Sequence, residues 1–91
     1  MPRGVEIKIL KAISNHTRIK IIEFLRSGEK SVNEITRFVK KSQPTVSLHL
    51  KILKDAGLVR EKRLGNVTLY RIIREEIYKI LNILRDKRWH V

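Results

Sequence analysis

Apolar residues recur at helical spacing in the first third of the chain. Between residues 5 and 13 they cover more than one side of a helix, and they are Val5, Ile7, Ile9, Leu10, Ala12 and Ile13. A second helical segment begins after Asn15, a residue type that caps helices, and extends to Gly28. Its residues Ile22 and Phe24 lie on opposite sides, so we expect this helix to lie inside the domain.

Two further helices follow, joined by a turn over residues 39–42. The first opens with SVNE at residues 31–34, a capping-box pattern in which the Ser31 and Glu34 side chains accept each other's backbone N–H. The second begins at Ser42 and continues to Ala56, with Gly57 as its C-terminal stop. Pro44 fits its first turn, because the N–H groups there have no intrahelical acceptor.

The helix that begins at Ser42 has two chemically different sides. At about 100° per residue, one side carries Val46, Leu50 and Leu53. At the margin of that side lies His49, which we expect to be a packed histidine bonded to backbone and not a ligand. The opposite side carries Pro44, Ser47, Leu48, Lys51 and Asp55.

Two runs with strand character come next, LVREKRL at residues 58–64 and VTLYRII at residues 67–73. Only Gly65 and Asn66 separate them, which predicts a β-hairpin. The basic members of the first run are Arg60, Lys62 and Arg63.

A last helix is predicted over residues 75–88, with an apolar stripe at Ile77, Ile80, Leu81 and Leu84. The stripe either completes the core or forms an interface. We expect an interface, because the first helix is also apolar on more than one side. The predicted dimer interface consists of Val5, Ile9, Ile77, Ile80, Leu81 and Leu84. Trp89 either closes this interface or projects into solvent.

These elements predict a mainly α fold with a small β-hairpin, the winged helix-turn-helix. We expect residues 1–91 to form a single domain, with the helix-turn-helix at about 31–57, the wing hairpin at 58–73 and a C-terminal dimerisation helix at 75–89. In this architecture the second helix of the pair enters a major groove, and the wing reaches the neighbouring backbone.

The composition favours a polyanionic partner. The 91 residues include 21 Lys and Arg against 9 Asp and Glu, a formal net charge of +12. The chain has no cysteine, which fits a reducing compartment, and no apolar run of the ~20 residues that span a membrane. We therefore expect a cytoplasmic protein that binds double-stranded DNA and no membrane. The sequence shows no paired carboxylates, no nucleophile–base set and no phosphate loop, so we expect that the protein is not an enzyme.

The predicted DNA contacts fall into two sets. The set on the second helix consists of Gln43, Pro44, Thr45, Ser47, Leu48 and Lys51. The set that meets the DNA backbone consists of Lys40, Lys41, Arg60, Lys62 and Arg63.

Four segments resemble, in order and spacing, the arsenic-repressor (ArsR/SmtB) family of winged-helix transcriptional repressors: NHTRIKIIEFL, SVNEI, KKSQPTVSLHLKILKDAGLV and REKRLGNVTLYRI. The resemblance covers about residues 8–73. It implies a homodimer, paired through the first and last helices, that binds a pseudo-palindromic operator. It also implies base contacts at Gln43, Pro44, Ser47 and Leu48.

The chain departs from the family at its metal positions. Ser31 and Asn33 stand where many members carry cysteines, and neither is a soft-metal ligand. The last helix has no histidine before His90, although other members bind zinc there through Asp and His. We expect no metal and no cofactor, and the residues indicate no inducer.

Two single residues leave alternatives open. Lys40 stands where the family usually has glycine, so it either adopts a left-handed conformation or the turn is rearranged. Leu48 either packs on a thymine methyl group or is a tolerated surface residue.

Three functions fit these features. The leading one is a sequence-specific dimeric repressor that does not sense metal through cysteine. The alternatives are an architectural nucleoid protein with little sequence preference, and a winged helix used for protein contacts.

Overall fold

The computed structural model describes residues 3–86 and residue 88, with the side chain of Arg3 excepted. The prediction for Trp89 lies outside these residues. The last helix, predicted over residues 75–88, is shorter and ends at Arg85, because the backbone of Asp86 is extended. Within the described residues, five helices and three strands occur in the order α1 (Arg3–Ile13), α2 (His16–Phe24), β1 (Lys30–Ser31), α3 (Val32–Val39), α4 (Gln43–Asp55), β2 (Val59–Leu64), β3 (Val67–Ile72) and α5 (Glu76–Arg85), with a 3-10 turn at Leu25–Ser27.

The predicted fold class, mainly α with a hairpin, is confirmed. The hairpin β2–β3, called the wing below, pairs Val59 with Ile72 at its base and Leu64 with Val67 at its tip. The sheet has a third strand, because β1 pairs with β3 through Lys30 and Tyr70, in the order β1-β3-β2. This strand of two residues is too short to show an alternating pattern, so the sequence did not predict it.

Side-chain caps set the starts of three helices. The Asn15 side chain accepts from Arg18 N at 3.1 Å, and the Ser42 hydroxyl accepts from Thr45 N at 3.4 Å. The capping box of α3 is complete, since Ser31 N donates to Glu34 Oε1 at 2.9 Å and Glu34 N donates to Ser31 Oγ at 3.1 Å. All three starts were predicted from the sequence.

Lys40 ends α3 in the left-handed conformation, with φ 57° and ψ 44°. Its N–H donates to the Thr36 carbonyl at 3.0 Å, which closes the last turn of the helix. A residue with a Cβ adopts this conformation at a cost of about 1–2 kcal/mol. Of the two alternatives for Lys40, the left-handed conformation is confirmed.

The core lies where α2, α3, α4 and α5 meet. Its fully buried side chains include Ile21, Ile22, Ile35, Val46, Leu50, Leu53 and Leu58. The hydroxyl of Tyr78 donates to the Ile22 carbonyl at 2.6 Å and ties α5 to α2. The second helix packs against α1, α3 and α4 but lies only partly inside the domain. Ile21 and Ile22 are buried, whereas Phe24 is partly exposed and stacks on the half-exposed Phe38, with 4.1 Å between the ring centroids.

Two residues of the predicted dimer interface belong to this core instead. Ile77 and Leu81 are only 2% and 3% exposed in the single chain. They lie four residues apart on α5, and the helix needs this stripe to pack on its own protomer. Ile80, by contrast, is 41% exposed. Within the described part of the chain, no helix is long and apolar enough to cross a bilayer.

Candidate nucleic-acid interface

The second helix of the pair, α4, presents a continuous exposed face and is called the reading helix below. All six residues predicted to contact DNA on it are exposed: Gln43, Pro44, Thr45, Ser47, Leu48 and Lys51. The opposite side is anchored by Val46, Leu50 and Leu53, which have no exposed surface. A helix held in this way can project side chains into a major groove without losing its packing.

The six outward residues are not equally available. The Thr45 hydroxyl accepts a hydrogen bond from Ser42 Oγ at 2.9 Å, so it already takes part in the helix cap. Lys51 Nζ lies 2.9 Å from Asp55 Oδ2, one turn further on, and this hydrogen bond lowers the pKa of the Asp55 carboxyl. Both members of the pair are exposed, and solvent and salt screen an exposed pair at this spacing, so it is weak. A DNA phosphate can therefore displace Asp55 from Lys51 at low cost.

Leu48 is the most exposed apolar side chain on α4, with 64% of its surface accessible. Ile52, one turn later, is also exposed. The helix thus carries an apolar pair beside its polar readers, and no polar atom of Leu48 can bond a base edge.

Lys40 and Lys41 lie in the turn before the reading helix, and both are exposed. Among the residues that the structure describes, neither forms an ion pair with a carboxylate. The backbone N–H groups at the start of a helix also attract anions. The start of α4 is therefore suited to a phosphate.

The three basic residues of the wing do not form one group. Successive side chains of a strand point to opposite faces, so Arg63 shares a face with Glu61, and Arg60 shares the other face with Lys62. Arg63 faces the reading helix across a cleft of about 300 Å³. Lys62 instead lies 3.8 Å from Glu29, which precedes β1. The structure brings Arg63, but not Arg60 or Lys62, together with the reading helix.

This space, called the α4–wing cleft below, is polar. Its lining includes Asn33, Gln43, Ser47, Glu61, Arg63 and Tyr70. Gln43 and Ser47 therefore lie in the same cleft as the wing. Both were predicted to contact bases, and the side chain of neither takes part in the helix cap.

The cleft also contains an acid that the sequence analysis did not single out. Glu61 Oε1 lies 2.7 Å from Lys54 Nζ, and Glu61 Oε2 accepts from the Tyr70 hydroxyl at 3.0 Å. Both bonds lower the pKa of the Glu61 carboxyl, and the bond from Lys54 has the larger effect. Burial, with Glu61 as the bonded neighbour, raises the pKa of Tyr70 to about 12. The prediction considered only the basic residues of the hairpin and therefore did not include Glu61. Glu61 lies opposite Tyr70 in the hairpin register.

His49 lies at the core margin of α4, as predicted, but its partner is a side chain and not the backbone. Arg18 Nη1 lies 3.1 Å from His49 Nδ1. The same guanidinium donates from Nε to the Ala12 carbonyl at 2.6 Å and from Nη2 to the Lys11 carbonyl at 3.4 Å. Arg18 therefore connects the end of α1 to the middle of the reading helix.

The metal-ligand chemistry of the described residues is poor. Nowhere in residues 3–86 and 88 do three or more His, Cys, Asp or Glu residues come together in a way that could hold a metal ion. Ser31 is engaged in the capping box of α3.

Apolar side chains remain exposed on the two helices predicted to form a dimer. On α1 these are Val5, Ile7 and Leu10, and on α5 they are Ile80, Ile83 and Leu84. Ile9 and Ile80 line one shallow groove of about 110 Å³, so the two helices adjoin. Single apolar residues are ordinary on a surface, so this set alone is a candidate contact surface only.

Comparison with known proteins gives consistent results. The model of the family described as "Bacterial regulatory protein, arsR family" matches residues 15–61. An HTH-type transcriptional regulator of Methanocaldococcus jannaschii is 36% identical over 80 residues, which cover 87% of this chain and 90% of that protein. The transcriptional repressor SdpR of Bacillus subtilis is 32% identical over 80 residues, covering 84% and 89% of the two chains.

A solved structure shows the same fold. It is a homodimeric winged helix-turn-helix DNA-binding domain of Mycobacterium bovis, described as a possible ArsR-family transcriptional regulator. It superimposes with a TM-score of 0.84 at 29% identity and covers 92% of this chain and 81% of its own.

Proposed function

Because this chain belongs to the arsR family of bacterial regulatory proteins, a family of winged helix-turn-helix transcription regulators, we propose that it represses transcription as a homodimer bound to a specific operator. The proposal includes residues 1–91 acting as a single domain and working in the cytoplasm, by binding and not by catalysis.

One observation carries the proposal. A rigidly anchored helix exposes Gln43, Ser47 and Leu48 on its outer side, with cations at its start and across the α4–wing cleft. In our assignment, these three residues and Pro44 contact base edges in the major groove. Lys40, Lys41, Lys51 and Arg63 contact phosphates, and Thr45 positions the helix start. Arg60 and Lys62 add charge on the far face of the wing.

Dimerisation is supported by the exposed apolar side chains of α1 and α5. We assign Val5, Ile9, Ile80 and Leu84 to the interface and leave Ile77 and Leu81 to the core of the protomer. A twofold axis through these helices would relate two reading helices about 34 Å apart, one turn of duplex. The homodimeric state of the M. bovis domain supports this arrangement.

The regulatory signal differs from that of the cysteine-based metal sensors in the family. The chain contains no cysteine, and Ser31 is committed to capping α3. We propose that the repressor does not sense metal through cysteine, and that it uses no cofactor to bind DNA.

Selection of bound fragments from random duplex DNA tests the function directly. We expect an inverted repeat with half-sites one helical turn apart, bound at least ~10³-fold more tightly than random duplex. Equal affinity for all duplexes would instead identify a nucleoid protein. No binding to duplex even at low salt would identify a winged helix used for protein contacts, since any phosphate-neutralising protein binds strongly there.

A further inference from the structure

Glu61 joins three elements at the floor of the α4–wing cleft. Its Oε1 pairs with Lys54 in the last turn of α4, and its Oε2 accepts from Tyr70 of β3, at 2.7 and 3.0 Å. Glu61 itself is on β2. Both oxygens of one carboxylate are therefore used to tie the wing to the end of the reading helix.

The charge of Glu61 does not favour DNA binding by itself. Its side chain lines the same cleft as Gln43, Ser47 and Arg63, where DNA phosphates would approach. A carboxylate in that place repels phosphates of every sequence, and so lowers affinity for all duplexes. Any contribution of Glu61 to selective binding must therefore be geometric.

Glu61 can contribute to selective binding through the position of the wing. β1 supports β3 only at Leu69 and Tyr70, so the tip of the wing beyond them is a two-stranded hairpin, which is only marginally stable alone. Arg63 lies two residues beyond Glu61 on the same face of β2, toward the tip of the wing. On the opposite face the contact between Lys62 and Glu29 is longer, 3.8 Å, and it does not reach α4. The pairing with Lys54 is thus the ion pair between the wing and the reading helix in the described residues.

We propose that Glu61 is a positioning residue for sequence selection. Through Lys54 and Tyr70 it fixes the wing against the reading helix. Arg63 then reaches a phosphate only when Gln43 and Ser47 are in register with their bases. Without this tie, the wing would find phosphates in many registers, and binding would become stronger and less selective. The inference rests on the proposed DNA-binding function.

Affinity for the selected operator and for random duplex, measured in parallel, tests the role. Glu61→Gln should bind random duplex several-fold more tightly, while the ratio of operator to random affinity falls several-fold, since the two bonds of Glu61 are exposed and each contributes little by itself. Tyr70→Phe removes one bond to Glu61 and no charge, so it should lower the ratio without the general gain. Glu29→Gln removes an equal charge on the far side of the wing, and it should raise both affinities and leave the ratio unchanged.

A charge exchange separates positioning from simple loss of structure. Lys54→Glu should lower the ratio, and the double variant Lys54→Glu/Glu61→Lys should recover part of it, because the ion pair is restored with its charges reversed. A ratio in Glu61→Gln and Tyr70→Phe equal to that of the wild type would overturn this inference alone. A wild-type protein with no operator preference would overturn the proposed function and this inference with it.

Discussion

Arg18 and His49 link the first helix to the reading helix through a hydrogen bond of 3.1 Å between Nη1 and Nδ1. A guanidinium only donates, so Nδ1 of His49 accepts and the proton of the neutral ring is on Nε2. The other nitrogens of Arg18 donate to carbonyls at the end of α1. The connection between α1, a helix of the proposed dimer interface, and α4, which we propose reads the operator, therefore requires an uncharged histidine.

We predict that stability falls as the pH drops below the usual titration range of histidine. Burial lowers the pKa of His49, and the charges of Arg18 and Lys41 lower it further. A histidine in the unfolded chain titrates near 6.5, so below that pH the unfolded state binds more protons than the native state. The free energy of unfolding should then decrease until the pH passes the native pKa. Urea unfolding between about pH 5 and 8 measures the effect.

His49→Gln provides the control. An amide oxygen can still accept from Arg18, but it does not titrate. The variant should therefore lose stability less steeply over the same pH range. An identical slope in wild type and variant would assign the titration to another group.

Gln43→Ala and Ser47→Ala should each weaken operator binding by ~1–3 kcal/mol and relax the preference at one base position. Both side chains are exposed, so neither change should alter folding. Lys51→Ala should weaken binding to all sequences instead, because we assign Lys51 to a phosphate and not to a base. Quantitative competition with single-base operator variants distinguishes the two patterns. If Gln43→Ala has the same operator preference as the wild type, Gln43 does not contact a base.

Arg63→Ala should weaken binding to every duplex and reduce the slope of log affinity against log salt by about 1. Arg60→Ala is the matched control, since it removes the same charge from the face of β2 that points away from the reading helix. We expect a clearly smaller change in slope for Arg60→Ala. Equal slopes for the two variants would mean that both faces of the wing contact DNA.

Most elements of the fold could be predicted because they have a local cause. The caps at Asn15, Ser31 and Ser42, and the turn at Gly65-Asn66, act within three or four residues. The strand β1 has no such cause. Lys30 and Ser31 are a strand only because Tyr70 and Leu69 lie beside them in space.

The exposed residues of the candidate site could be predicted where they lie on a single helix. The contacts between two elements could not be predicted. Helical periodicity was enough to place Gln43, Ser47 and Leu48 outside and Leu50 inside. The partners of Glu61 and His49 come from other elements, and tertiary packing decides them. Tertiary packing also decides which apolar side chains of α5 lie in the core and which lie in an interface. The apolar stripe alone does not distinguish them.

Ile80→Asp should dissociate the dimer, whereas Leu81→Asp should unfold the protein. Ile80 is exposed in the single chain, but Leu81 lies in the core, where an unpaired carboxylate is strongly unfavourable. A charge placed in an apolar interface costs about 2 kcal/mol or more, which is at least ~30-fold in the dissociation constant. Sedimentation measures the assembly, and circular dichroism measures the fold.

Leu64→Asp serves as the control for this pair, since Leu64 is an exposed apolar residue at the tip of the wing. It should remain a dimer. A folded Ile80→Asp variant that sediments as a dimer would place the interface away from α5.

Leu48 should select thymine through its methyl group. Its side chain is exposed on the reading helix and has no hydrogen-bonding atom, so its contribution to base selection is apolar contact. Neighbouring Pro44 has no N–H to offer a phosphate, which leaves apolar contact as the main chemistry of this part of the helix. Burying one methyl group contributes ~0.8 kcal/mol, so replacing that thymine by uracil should weaken binding about fourfold. In Leu48→Ala the difference between thymine and uracil should disappear, because the partner of the methyl group is gone. The same exchange outside the half-site should change nothing in either protein. If the wild-type protein binds the thymine and uracil operators equally, Leu48 is a tolerated surface residue and reads no base.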